Sequence, residues 1–83
     1  METAYIAPRN ETERTIAAIW KDVLQVDQVG IHDNFFELGG DSLLVMQVVA
    51  RAKQAGLEFA SHQLLEHQTI AELVEMEGSV ADV

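Results

Sequence analysis

Ser42 is the residue whose type and placement most suggest chemistry. It follows Gly39, Gly40 and Asp41 and opens an apolar run, Leu43-Leu44-Val45-Met46. A serine after two glycines suggests a nucleophile. The G-x-S-x-G elbow, however, needs a second glycine where Leu44 stands, a preceding strand, and acid and base partners further along. None of these is visible. Gly39-Gly40 has no Lys-Ser/Thr after it, so a phosphate-cradling P-loop is excluded. Ser and Asp are both preferred helix N-caps, so capping is the plain alternative for Ser42.

The carboxylates and histidines do not have metal-ligand spacing. A calcium loop needs oxygen ligands at its positions 1, 3, 5 and 12. Counting from Asp27 places Val29, Ile31 and Leu38 at the later positions, and counting from Asp33 places Phe35 and Leu44 there. Both frames fail. His32, His62 and His67 lack the i, i+4 spacing of a zinc helix. His62 and His67 read as surface or cap residues. No metal site and no catalytic residue is expected.

Three helices and one short turn of helix must position Ser42. The first should begin near Asn10, with Asn10 and Glu13 at capping-box spacing and acidic residues in the first turn. Ile16, Ile19, Trp20, Val23 and Leu24 form its apolar face. Residues 27–41 then make a long loop, with turn signals at Gly30, Asp33-Asn34 and Gly39-Gly40. Val29, Ile31, Phe35, Phe36 and Leu38 can pin that loop to a core, so order is predicted. Phe35-Phe36 can hide a helical turn. Tyr5 and Ile6 are candidates to pack on the domain.

The second principal helix should start at Asp41-Ser42 and end near Ala55, with Gly56 just beyond. It carries two apolar stripes. Val45, Val48, Val49 and Ala52 share one side, and Leu43, Met46 and Ala50 lie on nearly the opposite side. One stripe must face the core, and the spare one fits a docking surface. Leu43, Met46 and Ala50 are read as docking, with a core role for Leu43 and Met46 as the alternative. Ser61 is predicted to cap a brief helix. Thr69-Ile70-Ala71-Glu72 reads as a capping box opening the last helix, with Gly78 stopping it and a frayed tail after it. The expectation is all-α: a small four-helix bundle, three main helices plus one short, with a long ordered loop after the first. Residues 1–9 read as a linker, 10–77 as the domain and 78–83 as a tail.

The glycines give Ser42 a further reading. They remove bulk around the hydroxyl and let another protein's backbone approach. A helix start favours an attached phosphate through its free N–H groups and positive dipole end. A modifiable hydroxyl beside a spare apolar stripe describes a carrier.

The run Asp33-Asn34-Phe35-Phe36-Glu37-Leu38-Gly39-Gly40-Asp41-Ser42-Leu43 resembles the attachment motif of phosphopantetheine-dependent carrier proteins. It is most similar to the peptidyl carrier, or thiolation, domains of nonribosomal peptide synthetases. Ala7-Pro8-Arg9 resembles the linker after an adenylation domain. Ile19-Trp20 with Val23-Leu24 resembles the family's first helix, and residues 63–73 its third and fourth. The helix after Ser42 has no acidic residue and carries Arg51 and Lys53, unlike the acidic helix of fatty-acid carriers. Asp41 stands where many peptidyl carriers that receive an elongation partner have histidine, and resembles carriers that serve epimerisation domains or other special partners.

The resemblance implies a four-helix carrier fold with 4'-phosphopantetheine attached at Ser42. A phosphopantetheinyl transferase, with Mg²⁺ in its own site, would supply it from coenzyme A. Aminoacyl or peptidyl groups would then ride as thioesters, with adenylation, condensation, epimerisation or other tailoring domains as partners. The chain itself would catalyse nothing. Asp41 is read as a cap or a partner contact, Phe35 and Phe36 as loop anchors, Trp20 as core, and Arg51 and Lys53 as solvated. Competing readings are an acyl carrier of a polyketide or fatty-acid pathway and an acidic interaction module without a prosthetic group.

Composition agrees with a carrier or binding module. The chain has 83 residues, enough for one core. Lys plus Arg number 5 against 14 Asp plus Glu, for a net charge of −9, which argues against nucleic acid and anionic membrane as partners. There is no cysteine, so disulfides, thiolate metal sites and a cysteine nucleophile are out. No secretory signal or membrane-spanning run is visible. A monomeric cytoplasmic protein is expected.

Overall fold

The structure, a computed structural model, describes residues 4–81. Four helices follow one another: α1 (Glu11–Leu24), α2 (Ser42–Gln54), α3 (Ser61–Glu66) and α4 (Ile70–Ala81). No strand occurs among the described residues. The all-α expectation of three main helices and one short one is met. α1 packs against both α2 and α4, and α3 packs on α2.

Each helix begins or ends where a side chain satisfies exposed backbone groups. Asn10 Oδ1 accepts from Glu13 N at 2.9 Å, capping α1. The reciprocal half of the expected box is absent, because the Glu13 carboxylate turns to Arg9 instead. α1 ends at Gln25, a non-glycine residue at φ 58°, whose side chain donates to Asp22 O. α2 ends as expected: Gly56 takes φ +88°, and Leu57 N reaches back to Ala52 O at 2.8 Å.

Three expectations are corrected. Ser61 is the first residue of α3, not its cap; the cap position is Ala60, whose N–H donates to Gln63 Oε1 at 2.6 Å. Thr69 Oγ1 accepts from Glu72 N at 3.2 Å, but only this forward half of the box forms. The Glu72 carboxylate lies 3.8 Å from His67 Nδ1. Gly78 does not stop α4, which runs on to Ala81. A glycine inside a helix costs only about 1 kcal/mol relative to alanine, and no proline follows to end it. The last two residues of the expected tail lie outside the described residues.

The core joins all four helices to the long loop. Ile16, Trp20 and Val23 from α1 meet Val45, Val48 and Ala52 from α2, Leu64 from α3, and Ile70 and Leu73 from α4. Val29, Ile31 and Phe35 bring the loop into the same cluster. The Trp20 and Phe35 rings meet edge to face at 4.9 Å. Backbone bonds also fasten the loop to the start of α4: Phe35 N donates to Gln68 O at 2.8 Å, and Ala71 N to Ile31 O at 3.0 Å. The predicted order of this loop therefore has both apolar and polar causes.

Arg51 is not simply solvated. Its guanidinium pairs with Asp22, tying α2 to α1 across the surface. Tyr5 and Ile6 do lie against the domain, Tyr5 through its ring beside Gly30 and Ile6 through its backbone carbonyl, and both stay about half exposed.

Candidate functional site

Ser42 is presented by a tight turn folded on Phe35. Asn34 Oδ1 accepts from Phe36 N at 2.9 Å and from Glu37 N at 3.1 Å, starting a helical turn. Asn34 Nδ2 donates to Gln68 Oε1 at 2.8 Å, anchoring the turn to the segment just before α4. Leu38 N then donates to Asn34 O, and Gly40 N to Phe35 O at 3.1 Å. The hidden turn predicted at Phe35-Phe36 is present.

The two glycines also have a role within the fold, beside the expected one of clearing space for a partner. Gly39 sits at φ +108°, a conformation that L side chains rarely adopt. Gly40 lies so close to Phe35 that an added Cβ would stand 2.3 Å from Cε2 and 2.8 Å from the carbonyl oxygen. Phe35 can fill the core beneath the turn only because position 40 lacks a side chain.

Asp41 is the N-cap of α2. Its Oδ1 accepts from Leu44 N at 2.9 Å, and its carbonyl accepts from Val45 N. Capping of the helix by Ser42 is thereby corrected: Ser42 is the first helical residue. Its side chain is exposed, and no hydrogen bond holds its hydroxyl among the described residues. The first turn of α2 contains no acidic residue, and Arg51 and Lys53 lie in its last turn. A phosphate on the Ser42 oxygen would meet the positive end of the helix, where the amides of Ser42 and Leu43 have no acceptor among the described residues. The residues present therefore fit a phosphate-linked group.

Beside the hydroxyl lies the spare stripe. Leu43 is 65% exposed and Met46 62%, and Ala50 is exposed as well. Val45, Val48 and Ala52 on the opposite side are buried. The core alternative for Leu43 and Met46 is thus excluded. Leu65 on α3 is a further large exposed apolar residue, at 46%. The sequence did not single it out, because in the pair Leu64-Leu65 nothing local says which leucine points inward.

No group of three or more His, Asp or Glu residues is placed to hold a metal ion among the described residues. Ser42 lines neither of two open clefts, of about 420 and 460 Å³. No helix among the described residues is long and apolar enough to cross a membrane.

Comparisons with known proteins match this geometry. The family model described as a phosphopantetheine attachment site matches residues 14–76. A linear gramicidin synthase component from Brevibacillus parabrevis is 62% identical over 76 residues, covering 92% of this chain and 2% of that protein. The chain thus spans a very small part of the synthetases it matches. A structure of the phosphopantetheine transferase Sfp with coenzyme A and a peptidyl carrier protein superposes with a TM-score of 0.81 at 37% identity, covering 90% of this chain and 99% of that one. A holo four-domain nonribosomal peptide synthetase bound to AMP and glycine gives a TM-score of 0.90 at 38% identity, covering 95% of this chain and 6% of that one. On this family match and these identities, the chain belongs to the phosphopantetheine attachment-site family, among the peptidyl carrier domains of nonribosomal peptide synthetases.

Proposed function

We propose that Ser42 is the attachment residue and that the chain carries aminoacyl or peptidyl groups between the catalytic domains of a nonribosomal peptide synthetase. The observation that carries this reading is the division of labour between neighbours. Asp41 caps α2, which leaves the Ser42 hydroxyl exposed and unbonded at the helix start.

In the attachment step, the Ser42 oxygen takes the phosphate of coenzyme A's phosphopantetheine. One phosphorus–oxygen bond forms to Ser42, the bond to the adenosine bisphosphate breaks, and the hydroxyl proton leaves. A phosphopantetheinyl transferase performs this reaction. The arm supplies a terminal thiol that holds acyl cargo as a thioester, a group this cysteine-free chain lacks.

The chain's own residues present the arm and dock the partners. Leu43, Met46 and Ala50 form a small apolar surface beside it, with Asp41 at its edge. A small interface suits partners that must bind and leave in turn. Adenylation, condensation, and epimerisation or other tailoring domains are the proposed partners. The chain catalyses nothing itself, acts as a monomer, and works in the cytoplasm, where coenzyme A is available.

Loading tests the function. After conversion with coenzyme A, Mg²⁺ and a transferase, the protein should accept an amino acid from an adenylation enzyme. Loading by acyltransferases alone would move it to polyketide or fatty-acid synthesis. Failure of conversion in a folded, unmodified sample would favour an interaction module without a prosthetic group.

A further inference from the structure

The segment before α1 is built into the domain, although its sequence reads as a linker. Three separate contacts hold it. Ile31 N donates to Ile6 O at 2.9 Å. Arg9 N donates to Glu13 Oε1 at 2.7 Å, and the Arg9 side chain adds Nε to Oε1 at 3.1 Å and Nη2 to Oε2 at 2.7 Å. Gly30 lies directly beneath: an added Cβ there would stand 3.0 Å from Tyr5 Cδ1 and 3.2 Å from Ile6 N. Between the two pinned ends, Pro8 restricts its own φ and the conformation of Ala7.

Glu13 is what makes this attachment obligatory. Its side chain is fully buried, while that of Arg9 is 60% exposed. A buried carboxylate is costly unless it is paired and hydrogen-bonded. The partner comes from outside the helix, so folding α1 onto the core also recruits the segment before it.

We infer that residues Ile6–Arg9 form a strap that fixes the direction in which any preceding chain leaves the domain, with Arg9, Glu13 and Gly30 as its positioning residues. Under the carrier reading on which this consequence rests, the strap sets where a tethered upstream domain stands relative to Ser42. Releasing it would add four residues of free chain, with an r.m.s. reach of ~11 Å, and change the effective concentration of the neighbouring domain.

The absence of native cysteine allows a direct test. Spin labels on Ala4→Cys and Gln47→Cys, both exposed positions, report the distance from the strap's outer end to α2 by pulsed electron resonance. The protein with an intact strap should give one narrow distribution. Arg9→Gln, which weakens the strap at its α1 end while the Ile6 contact remains, should broaden it. Gly30→Ala should shift it without altering any charge. Arg14→Gln, which removes only the surface pair with Glu11, should leave it narrow.

Helical circular dichroism and Ser42 modification by a transferase are recorded on the same samples. A broad distribution with the strap intact would overturn the inference, as would an unchanged narrow one in both folded Arg9→Gln and Gly30→Ala. If Arg9→Gln does not fold, Gly30→Ala decides alone. Loss of modification with the distances as expected would sink the carrier reading and leave the strap standing.

Discussion

Gly40 and Phe35 are packed so closely that neither can change without the other. A Cβ on Gly40 would fall 2.3 Å from the Phe35 ring, which is itself fully buried against Trp20. The turn that presents Ser42 is therefore braced from inside the core.

Gly40→Ala should force the Phe35 ring or the turn to move. Overpacking of this kind costs about 1–3 kcal/mol. Urea denaturation should show the lower midpoint, and the rate of Ser42 modification should fall with it, since Asp41 and Ser42 follow directly. Phe35→Ala should be worse, with a loss of about 3–5 kcal/mol.

Asp41 and Ser42 should separate cleanly in stability and in chemistry. Asp41→Ala removes the cap of α2 and should cost about 0.5–2 kcal/mol. Ser42→Ala touches an exposed, unbonded side chain and should change stability by less than about 0.5 kcal/mol. Modification should vanish in the second variant and persist in the first. Thermal unfolding paired with intact mass measures both properties on the same samples.

The two faces of α2 should respond in opposite ways. Leu43→Ala and Met46→Ala should leave the denaturation midpoint nearly unchanged, within about 0.5 kcal/mol, and slow turnover by partner domains. Val48→Ala opens a void in the core and should cost about 1–3 kcal/mol, with partner kinetics intact.

Acid should reveal the strap. The Arg9 guanidinium beside Glu13 is the main influence holding that carboxyl below its ordinary value, outweighing burial, which pushes the other way. A group with a lowered folded pKa stabilises fully above its unfolded value, about 4.3 for Glu, and loses that contribution as pH falls through the folded value. The protein should therefore lose stability below about pH 4. In Arg9→Gln this acid-dependent loss should shrink. Urea midpoints of the two proteins at pH 7 and through the acid range give the difference. Equal slopes would contradict the pairing.

What the sequence reveals here is what short-range periodicity can carry. The cap at Asn10, the two-sided α2 and the closure at Gly56 all lie within a turn or two of the residues that explain them. The loop's order is also visible, because five apolar residues in a Gly- and Asp-rich stretch need a core to bury them. Contacts set by tertiary placement are hidden. The requirement at Gly40 depends on where Phe35 points after the turn closes. Arg51 and Asp22 meet only when α1 and α2 pack. Glu13 has capping-box spacing, yet a residue outside the helix claims its carboxylate. Gln25 ends α1 in a left-handed conformation without the glycine that normally signals one.

The most direct test of the central claim uses a feature of the sequence itself. Trypsin cuts after Lys21 and Arg51, releasing residues 22–51, in which Ser42 is the only side-chain hydroxyl. The protein is treated with coenzyme A, Mg²⁺ and a phosphopantetheinyl transferase, then digested and weighed. One phosphopantetheinyl group on that peptide is predicted, with none on the same peptide from Ser42→Ala. A group found instead on the peptide that holds Ser61, or no group on a folded protein that carried none before treatment, would contradict the assignment of Ser42.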